Sequence, residues 1–372
     1  MTRPTTDPPA DFVPGLELSG ILYREAVLPL LREAHPGLPH TAARVGGGSE
    51  VLGFDTARSA DHEWGPRLEL FLRPEDATEL GPGLTELFAH RLPKHIRGWP
   101  THFVRAESDP VGLMTATDGP VNHRVAVTTV DAWLTGELGP GGTADPLTPL
   151  DWLALPQQRL AEVTGGVVLH DGLGTLTAAR RRLAWYPDEV WRYLLACQWQ
   201  RVSQEEAFVG RCAEVGDALG SAVVAGRLTR DLMRLCLLLA RRYAPYSKWL
   251  GSAFAALPVA GELTPVLRQA VAATDHPARE RALGVALERV ARLQNEAGLA
   301  PHVDPTPRPY HGRPFQVLHA ERFAEALAGT LTDTALGALP LTGSVDQWAD
   351  NTDLIHHPGA LIAATRALAG EG

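Results

Sequence analysis

Two neighbouring groups of residues have the types and the spacing to act together. The first is a run of three glycines and a serine that ends at Gly48 and Ser49, and the second is the acidic pair Asp61 and Glu63, which follows after eleven intervening residues. The backbone of a glycine-rich turn can approach a phosphate closely, and its N–H groups and the serine hydroxyl can donate hydrogen bonds to it. In an extended strand, residues two apart point to the same side, so both carboxylates would face one site. Two adjacent carboxylates suit Mg²⁺, which completes its shell with water and substrate phosphates.

The order and spacing of these groups resemble the nucleotidyltransferase superfamily that includes polymerase β and the aminoglycoside adenylyltransferases. Its signature is a Gly-Ser or Gly-Gly turn that opens a helix, an acid-any-acid pair on the next strand, and a third acid on a later strand. Gly48, Ser49, Asp61 and Glu63 match it residue by residue. The strings Asp-His-Glu-Trp-Gly-Pro-Arg-Leu and Tyr-Ala-Pro-Tyr-Ser-Lys-Trp are also similar to a family of bacterial proteins predicted to have this fold, over most of the chain. The resemblance implies a fold and a reaction type, but no substrate.

The third acid of the signature has one candidate. The strand predicted at His123–Thr129 contains no acid, and Asp131 is the nearest one. From the tip of that strand Asp131 would be a third metal ligand or a general base toward an acceptor hydroxyl. The alternative is an acidic residue in the first turn of a helix, where a negative charge is favourable.

The resemblance also implies a cation from the helical part of the chain. Related adenylyltransferases place a lysine from that side on the triphosphate, where positive charge stabilises the departing pyrophosphate. Lys248, which lies among Tyr243, Tyr246 and Trp249, is the candidate.

Two other acidic positions have competing interpretations. Glu205 or Glu206 would be an acceptor base, but Ser203 followed by Glu206 is also the pattern of a capping box at a helix start. His170-Asp171-Gly172 could begin a metal phosphohydrolase motif of the HD type, yet the glycine favours a turn.

Hydrophobic periodicity divides the chain into an α/β part and a helical part. It predicts a helix from Gly15 to about Glu33, a strand over Arg67–Leu72, a helix over residues 76–92 and the strand at His123–Thr129. Beyond the Gly/Pro-rich linker Gly136–Pro149, helices are predicted from Pro187, from Ser203 to about Ala218, around Leu232–Leu239, and over residues 263–274, 277–297, 320–332 and 359–369.

The predicted fold class is therefore α/β followed by all-α. Residues 1–14 are expected to be a flexible tail and residues 150–372 an α-helical substrate-binding domain. For residues 15–140 the resemblance implies a nucleotidyltransferase domain with a small mixed sheet, and an active cleft between the two domains.

The composition of the chain limits which classes of binding partner are expected. A formal charge of −9 over 372 residues fits poorly with binding to duplex nucleic acid, because that affinity comes largely from Lys and Arg on phosphates. Cys197, Cys212 and Cys236 lack metal-ligand spacing and are expected to be small buried residues. The first residues have no apolar core of the signal-peptide type, and no apolar run approaches the ~20 residues that cross a bilayer. A cytoplasmic protein without membrane contact is expected.

The expected reaction is a Mg²⁺-dependent transfer of a nucleoside monophosphate, AMP from ATP in the simplest case, to a hydroxyl of a small molecule. Gly48 and Ser49 would hold the phosphates, and Asp61 and Glu63 would hold the metal. The alternatives are a nucleotide-binding or regulatory protein without catalysis, and an enzyme of the same superfamily that modifies protein or RNA.

Overall fold

Helices and short strands alternate in the first half of the chain, and helices dominate the second half. The computed structural model describes residues 12–106 and 109–370. The helices are α1 (Gly15–Leu22), α2 (Leu28–Ala34), α3 (Pro74–Arg91), α4 (Val130–Leu138), α5 (Pro149–Ala154), α6 (Gln157–Thr164), α7 (Thr175–Arg182), α8 (Asp188–Glu206), α9 (Phe208–Glu214), α10 (Ala218–Leu239), α11 (Ser247–Ala255), α12 (Ala260–Ala272), α13 (His276–Glu296), α14 (Glu321–Ala328), α15 (Thr334–Ala338), α16 (Val345–Trp348) and α17 (Pro358–Leu368). The strands are β1 (Thr41–Arg44), β2 (Arg67–Phe71), β3 (His95–Ile96), β4 (Trp99–Pro100), β5 (His102–Ala106), β6 (Asp109–Thr115), β7 (Arg124–Thr128), β8 (Val167–Asp171), β9 (Arg308–Pro309) and β10 (Gln316–Val317). A π-helical segment (Tyr23–Val27) joins α1 to α2, and 3₁₀ turns occupy Ala57–Asp61, Pro140–Thr143 and Thr352–His356.

The described residues fall into two compact units. The first comprises residues up to Thr143 together with Arg159–Ala184, and the second comprises Ala144–Gln158 and the residues from Trp185 onward. The segment 159–184 belongs to the first unit because its strand β8 pairs with β1. The domain limits predicted from sequence, 15–140 and 150–372, place this segment with the helical part.

A four-stranded mixed sheet in the order β7-β2-β1-β8 forms the centre of the first unit. Strands β2 and β7 are parallel, while β1 runs antiparallel to both β2 and β8. In this register Ala43 lies opposite Glu69, so the end of β1 that leads into the glycine run lies beside the acidic residue of β2. The predicted strands at 67–72 and 123–129 are confirmed.

The helix predicted from Gly15 is confirmed, and it supplies one side of the core. It runs through α1, the π-helical segment and α2, and its apolar face is buried against the sheet and α3. This cluster includes Leu18, Leu22, Val27, Leu68, Leu70, Leu84, Phe88 and Val125. Most of the predicted tail, residues 1–11, lies outside the described residues, while Phe12 stacks on Trp64 with ring centroids 5.6 Å apart. The sheet and its helices thus form the α/β part expected from the periodicity.

Long helices build the second unit around α8, which packs against α10 and α14. Trp199 of α8 is completely buried, stacks on Phe323 at 4.8 Å and donates from Nε1 to Gln294 at 3.1 Å. The predicted helices over 263–274, 277–297, 320–332 and 359–369 correspond to α12, α13, α14 and α17. At the level of a mixed α/β part followed by a helical part, the predicted fold class is confirmed.

The capping box predicted at Ser203 and Glu206 is wrong. Both residues lie in the last turns of α8, and the Ser203 hydroxyl donates to the carbonyl of Gln200. The Glu206 carboxylate instead accepts from the backbone N–H groups of Leu318 and Ala320, at 2.7 and 2.8 Å. None of the helices formed by residues 12–106 and 109–370 has the length and apolar character needed to cross a membrane.

Candidate functional site

The glycine run leaves the end of β1 as a tight turn. Gly46 and Gly48 have φ values of +81° and +155°, which favour glycine. The amide of Gly46 donates to the carbonyl of Glu162, and the amide of Phe54 donates to the carbonyl of Ser49. The signature implied a turn that opens a helix, but the residues after Ser49 form successive turns without an α-helix. The run remains partly exposed at Gly47, Gly48 and Ser49.

A buried guanidinium supports this turn from inside. Arg44 is fully buried, pairs with Glu50 at 2.7 Å and with Glu69 at 3.1 Å, and donates to the carbonyl of Gly47 at 2.6 Å. Glu69 also accepts from the amide of Val45 at 3.0 Å. Burial alone would lower the pKa of Arg44, but the carboxylates of Glu69 and Glu50 outweigh it and raise that pKa. Arg44 is therefore a permanent positive charge beneath the turn.

A second guanidinium lies beside the first and is less well compensated. Arg67, at the start of β2, donates to the carbonyl of Gly47 at 3.3 Å and to the carbonyl of Glu63. Burial and the neighbouring charge of Arg44 lower the pKa of Arg67 to about 10. Glu50, 4.0 Å from Arg67, and the carboxylates of Glu69 and Glu63 offset these effects only in part. An anion at this turn would offset them further.

The strand predicted to carry Asp61 and Glu63 is not formed. Asp61 ends a 3₁₀ turn, is 52% exposed and contacts His62 Nδ1 at 2.7 Å. Glu63 has a left-handed φ of +43°, accepts from the amide of Gly112 at 2.6 Å and lies 3.5 Å from Arg124. Strand β2 begins only at Arg67, so alternation along a strand does not orient the two carboxylates.

Asp131 and Lys248 occupy helix starts. Asp131 lies exposed in the first turn of α4, which Thr129 caps through a bond from the amide of Ala132. This is the helix-start alternative for Asp131. Lys248 lies exposed in the first turn of α11 in the second unit, with Nζ 5.0 Å from the ring centre of Trp249.

The structure offers no ready-made metal cage in the part of the chain that it describes, since no three His, Cys, Asp or Glu side chains there are grouped to hold an ion. The HD-type interpretation of His170 and Asp171 fails on the same ground. Asp171 instead accepts from Thr41 at 2.6 Å and from Gly174 at 2.9 Å, as a turn-forming residue does.

Sequence reasoning missed the charged residues that hold the turn. Arg44 and Glu50 flank the glycine run with opposite charges, a signal that could have been used. Glu69, on β2, is a second acid that reaches the turn through Arg44. Asp55 accepts from the amide of Gly15 and from Trp64 Nε1 and so fixes the start of α1.

Comparisons with known proteins give limited matches. Residues 152–250 match the model of a family described as a domain of unknown function, DUF4037. Among solved structures, the chain is similar to a nucleotidyltransferase-like protein from Exiguobacterium sibiricum 255-15, at 12% identity and a TM-score of 0.34, over 83% of this chain and 89% of that one. No curated protein matches the chain. A similarity at this TM-score leaves the function to be inferred from the residues of the site.

Proposed function

We propose that the first unit binds a nucleoside triphosphate at the glycine turn and is the nucleotide-transferring part of the protein. In the proposed reaction an acceptor hydroxyl oxygen attacks the α-phosphorus, the bond from that phosphorus to the β-phosphate oxygen breaks, and pyrophosphate leaves. The hydroxyl proton passes to a base, for which Asp131 is the candidate. The donor that we propose is ATP, from which AMP would be transferred to a small molecule.

One observation carries this proposal: two guanidiniums converge on a partly exposed glycine turn. Arg44 and Arg67 both donate to the carbonyl of Gly47, and Arg67 has a pKa lowered to about 10. Phosphate oxygens bound by the amide of Gly48 and the hydroxyl of Ser49 would lie close to these two guanidiniums. The turn therefore has the hydrogen-bond donors of an anion site, with two guanidiniums beside them.

Magnesium would bind together with the nucleotide, as the ion that the nucleotide phosphates coordinate. Mg²⁺ keeps several waters and takes one or two protein carboxylates in addition to substrate oxygens. Asp61 and Glu63 fit that modest role, because their side chains are 52% and 36% exposed. The grouping of acids around the turn does not suit a resident metal. Lys248 stays a prediction as the cation for the triphosphate.

The test removes the two carboxylate charges and keeps the side-chain shapes. Asp61→Asn with Glu63→Gln is expected to abolish pyrophosphate release from mixed nucleoside triphosphates in the presence of a cell extract and Mg²⁺. The matched control, Glu79→Gln with Glu86→Gln, removes the same charge from the exposed side of α3 and should keep full turnover. A folded double variant of Asp61 and Glu63 that turns over normally would exclude the mechanism.

The second candidate is a protein that binds a nucleotide and transfers nothing. It is favoured by Glu63, whose carboxylate is already engaged by Gly112 and Arg124. Calorimetry with ATP, with and without Mg²⁺, is to be paired with the pyrophosphate assay on the same preparation. Binding with release supports the transferase, and binding without release in any extract supports the second candidate.

A further inference from the structure

A cavity of about 60 Å³ lies within the second unit, at α10, the start of α11 and the segment around α16. Its walls include Val345, Leu354 and Leu361, which are apolar, and it also contacts three charged residues, Arg234, Asp346 and Asp350. A single water needs roughly 10–15 Å³ of such space, so the enclosed part has room for the head group of a small molecule. The Asp350 carboxylate is paired with Arg230 at 2.9 Å, so Arg234 and Asp346 are the two charges that a ligand here would meet.

The guanidinium of Arg234 is incompletely satisfied. Its Nη1 donates to the backbone carbonyl of Asp346 at 2.7 Å, so it does not use the carboxylate of that residue. Its Nε is buried and has no hydrogen-bond partner among the residues that the structure describes. Burial lowers the pKa of Arg234. The carboxylates of Asp346 and Asp231 offset this effect only in part, so a carboxylate in the cavity would stabilise the Arg234 charge further.

The carboxylate of Asp346 is also incompletely stabilised in its charged form. It accepts from the backbone amide of Gln157 at 2.9 Å, and burial raises its pKa to about 6. The charge of Arg234 opposes this rise in the Asp346 pKa but does not cancel it. An ammonium group in the cavity would stabilise its ionised form.

The segment that carries Asp346 is held in place independently of any ligand. The carbonyl of Gln347 accepts from Arg201 Nη1 at 2.6 Å, and the Gln347 side chain donates to the carbonyl of Leu194 at 3.0 Å and to Gln198 at 3.1 Å. A ligand would therefore meet a preformed arrangement, which reduces the ordering cost of binding.

We propose that this cavity binds the head group of a small zwitterion of the α-amino acid type, with its carboxylate on Arg234 and its ammonium on Asp346. A ligand with only one charge would attract one of these two residues and repel the other. The apolar side chains Leu354 and Leu361 would contact the remainder of the ligand. The site lies in the second unit, and its occupation does not depend on nucleotide transfer.

The experiment is calorimetry on the full chain without nucleotide, with L-leucine as the apolar amino acid probe. The methyl ester of L-leucine lacks the carboxylate charge, and 4-methylpentanoate lacks the ammonium group. Binding of L-leucine at least tenfold tighter than either analogue is expected. Equal binding of an analogue, or no binding of L-leucine at millimolar concentration, would overturn the proposal.

Matched variants locate the binding. Asp346→Asn removes the charge and keeps an oxygen for the amide of Gln157, and it should weaken L-leucine binding at least tenfold. The control Asp353→Asn removes an exposed charge from the 3₁₀ turn nearby and should bind like the unmodified chain. Unchanged affinity in a folded Asp346→Asn variant refutes the assignment. Should that variant fail to fold, the analogue series on the unmodified chain decides the question by itself.

Discussion

Substitution of adjacent glycines by alanine tests whether the turn is held as tightly as its contacts indicate. A Cβ on Gly48 would lie 2.6 Å from Arg44 Nη2 and 2.7 Å from Glu50 Oε2, closer than real Cβ contacts allow. A Cβ on Gly47 would have only Glu162 Oε1 near it, at 4.0 Å. The same change is therefore expected to be disruptive at Gly48 and harmless one residue earlier.

The magnitude follows from the groups that would have to move. Arg44 and Glu50 are 0% and 1% exposed and hold each other at 2.7 Å, so neither side chain can swing into solvent. Breaking a buried ion pair outright costs about 3–5 kcal/mol, and a residue forced into an unfavourable backbone region costs about 1–3 kcal/mol. Because the pair would be displaced without losing a partner, Gly48→Ala should lower the free energy of unfolding by about 2–4 kcal/mol. Gly47→Ala should change it by no more than about 0.5 kcal/mol, or stabilise slightly by restricting the unfolded chain.

Urea titration of both variants measures this difference. The midpoint of the transition that reports the first unit should fall for Gly48→Ala and stay in place for Gly47→Ala, at similar m-values. Calorimetry with ATP on the folded fraction adds a functional comparison, in which only Gly48→Ala is expected to weaken binding. Equal midpoints for the two variants would mean that the buried charges do not constrain the turn, and the account of the site would fail with them.

Three further outcomes are expected. Arg44→Met leaves the buried carboxylate of Glu50 and the partly buried one of Glu69 without their nearest cation and should cost about 3–5 kcal/mol in urea unfolding. Arg91→Met, in an exposed pair, should leave the curve in place. Burial raises the pKa of Glu206 to about 7, so the folded state binds the proton of this carboxyl more tightly than the unfolded state does. The free energy of unfolding should therefore be highest below the ordinary carboxyl pKa and should fall by about 3 kcal/mol as pH rises through 7. Glu206→Gln should flatten that part of a Tm-against-pH curve. Gly112→Ala would place a Cβ against Arg124 and Glu63 and should release the Glu63 contact, measured as faster amide exchange at residue 112; unchanged exchange would contradict it.

Local periodicity was enough to locate most helices and strands. The helix from Gly15, the strand at Arg67 and the helices over 263–297 follow from the spacing of apolar residues, because each element buries one face and the spacing records which face. The same reasoning failed for Asp61 and Glu63. Their alternating pattern predicts a strand only if a neighbouring strand is there to pair with, and the backbone at Glu63 is turned instead.

The sequence alone determined the kinds of element, the helical character of the second half and the glycine run between opposite charges. Only the tertiary structure decided which charges meet: Arg44 pairs with Glu69 because β1 and β2 are antiparallel neighbours, and Glu63 turns toward Gly112, 49 residues away. The cavity that Arg234 and Asp346 both line also brings together residues that are distant in the sequence. Periodicity reports burial of neighbours along the chain, whereas these pairings depend on how distant segments approach in space, and no local pattern encodes that approach.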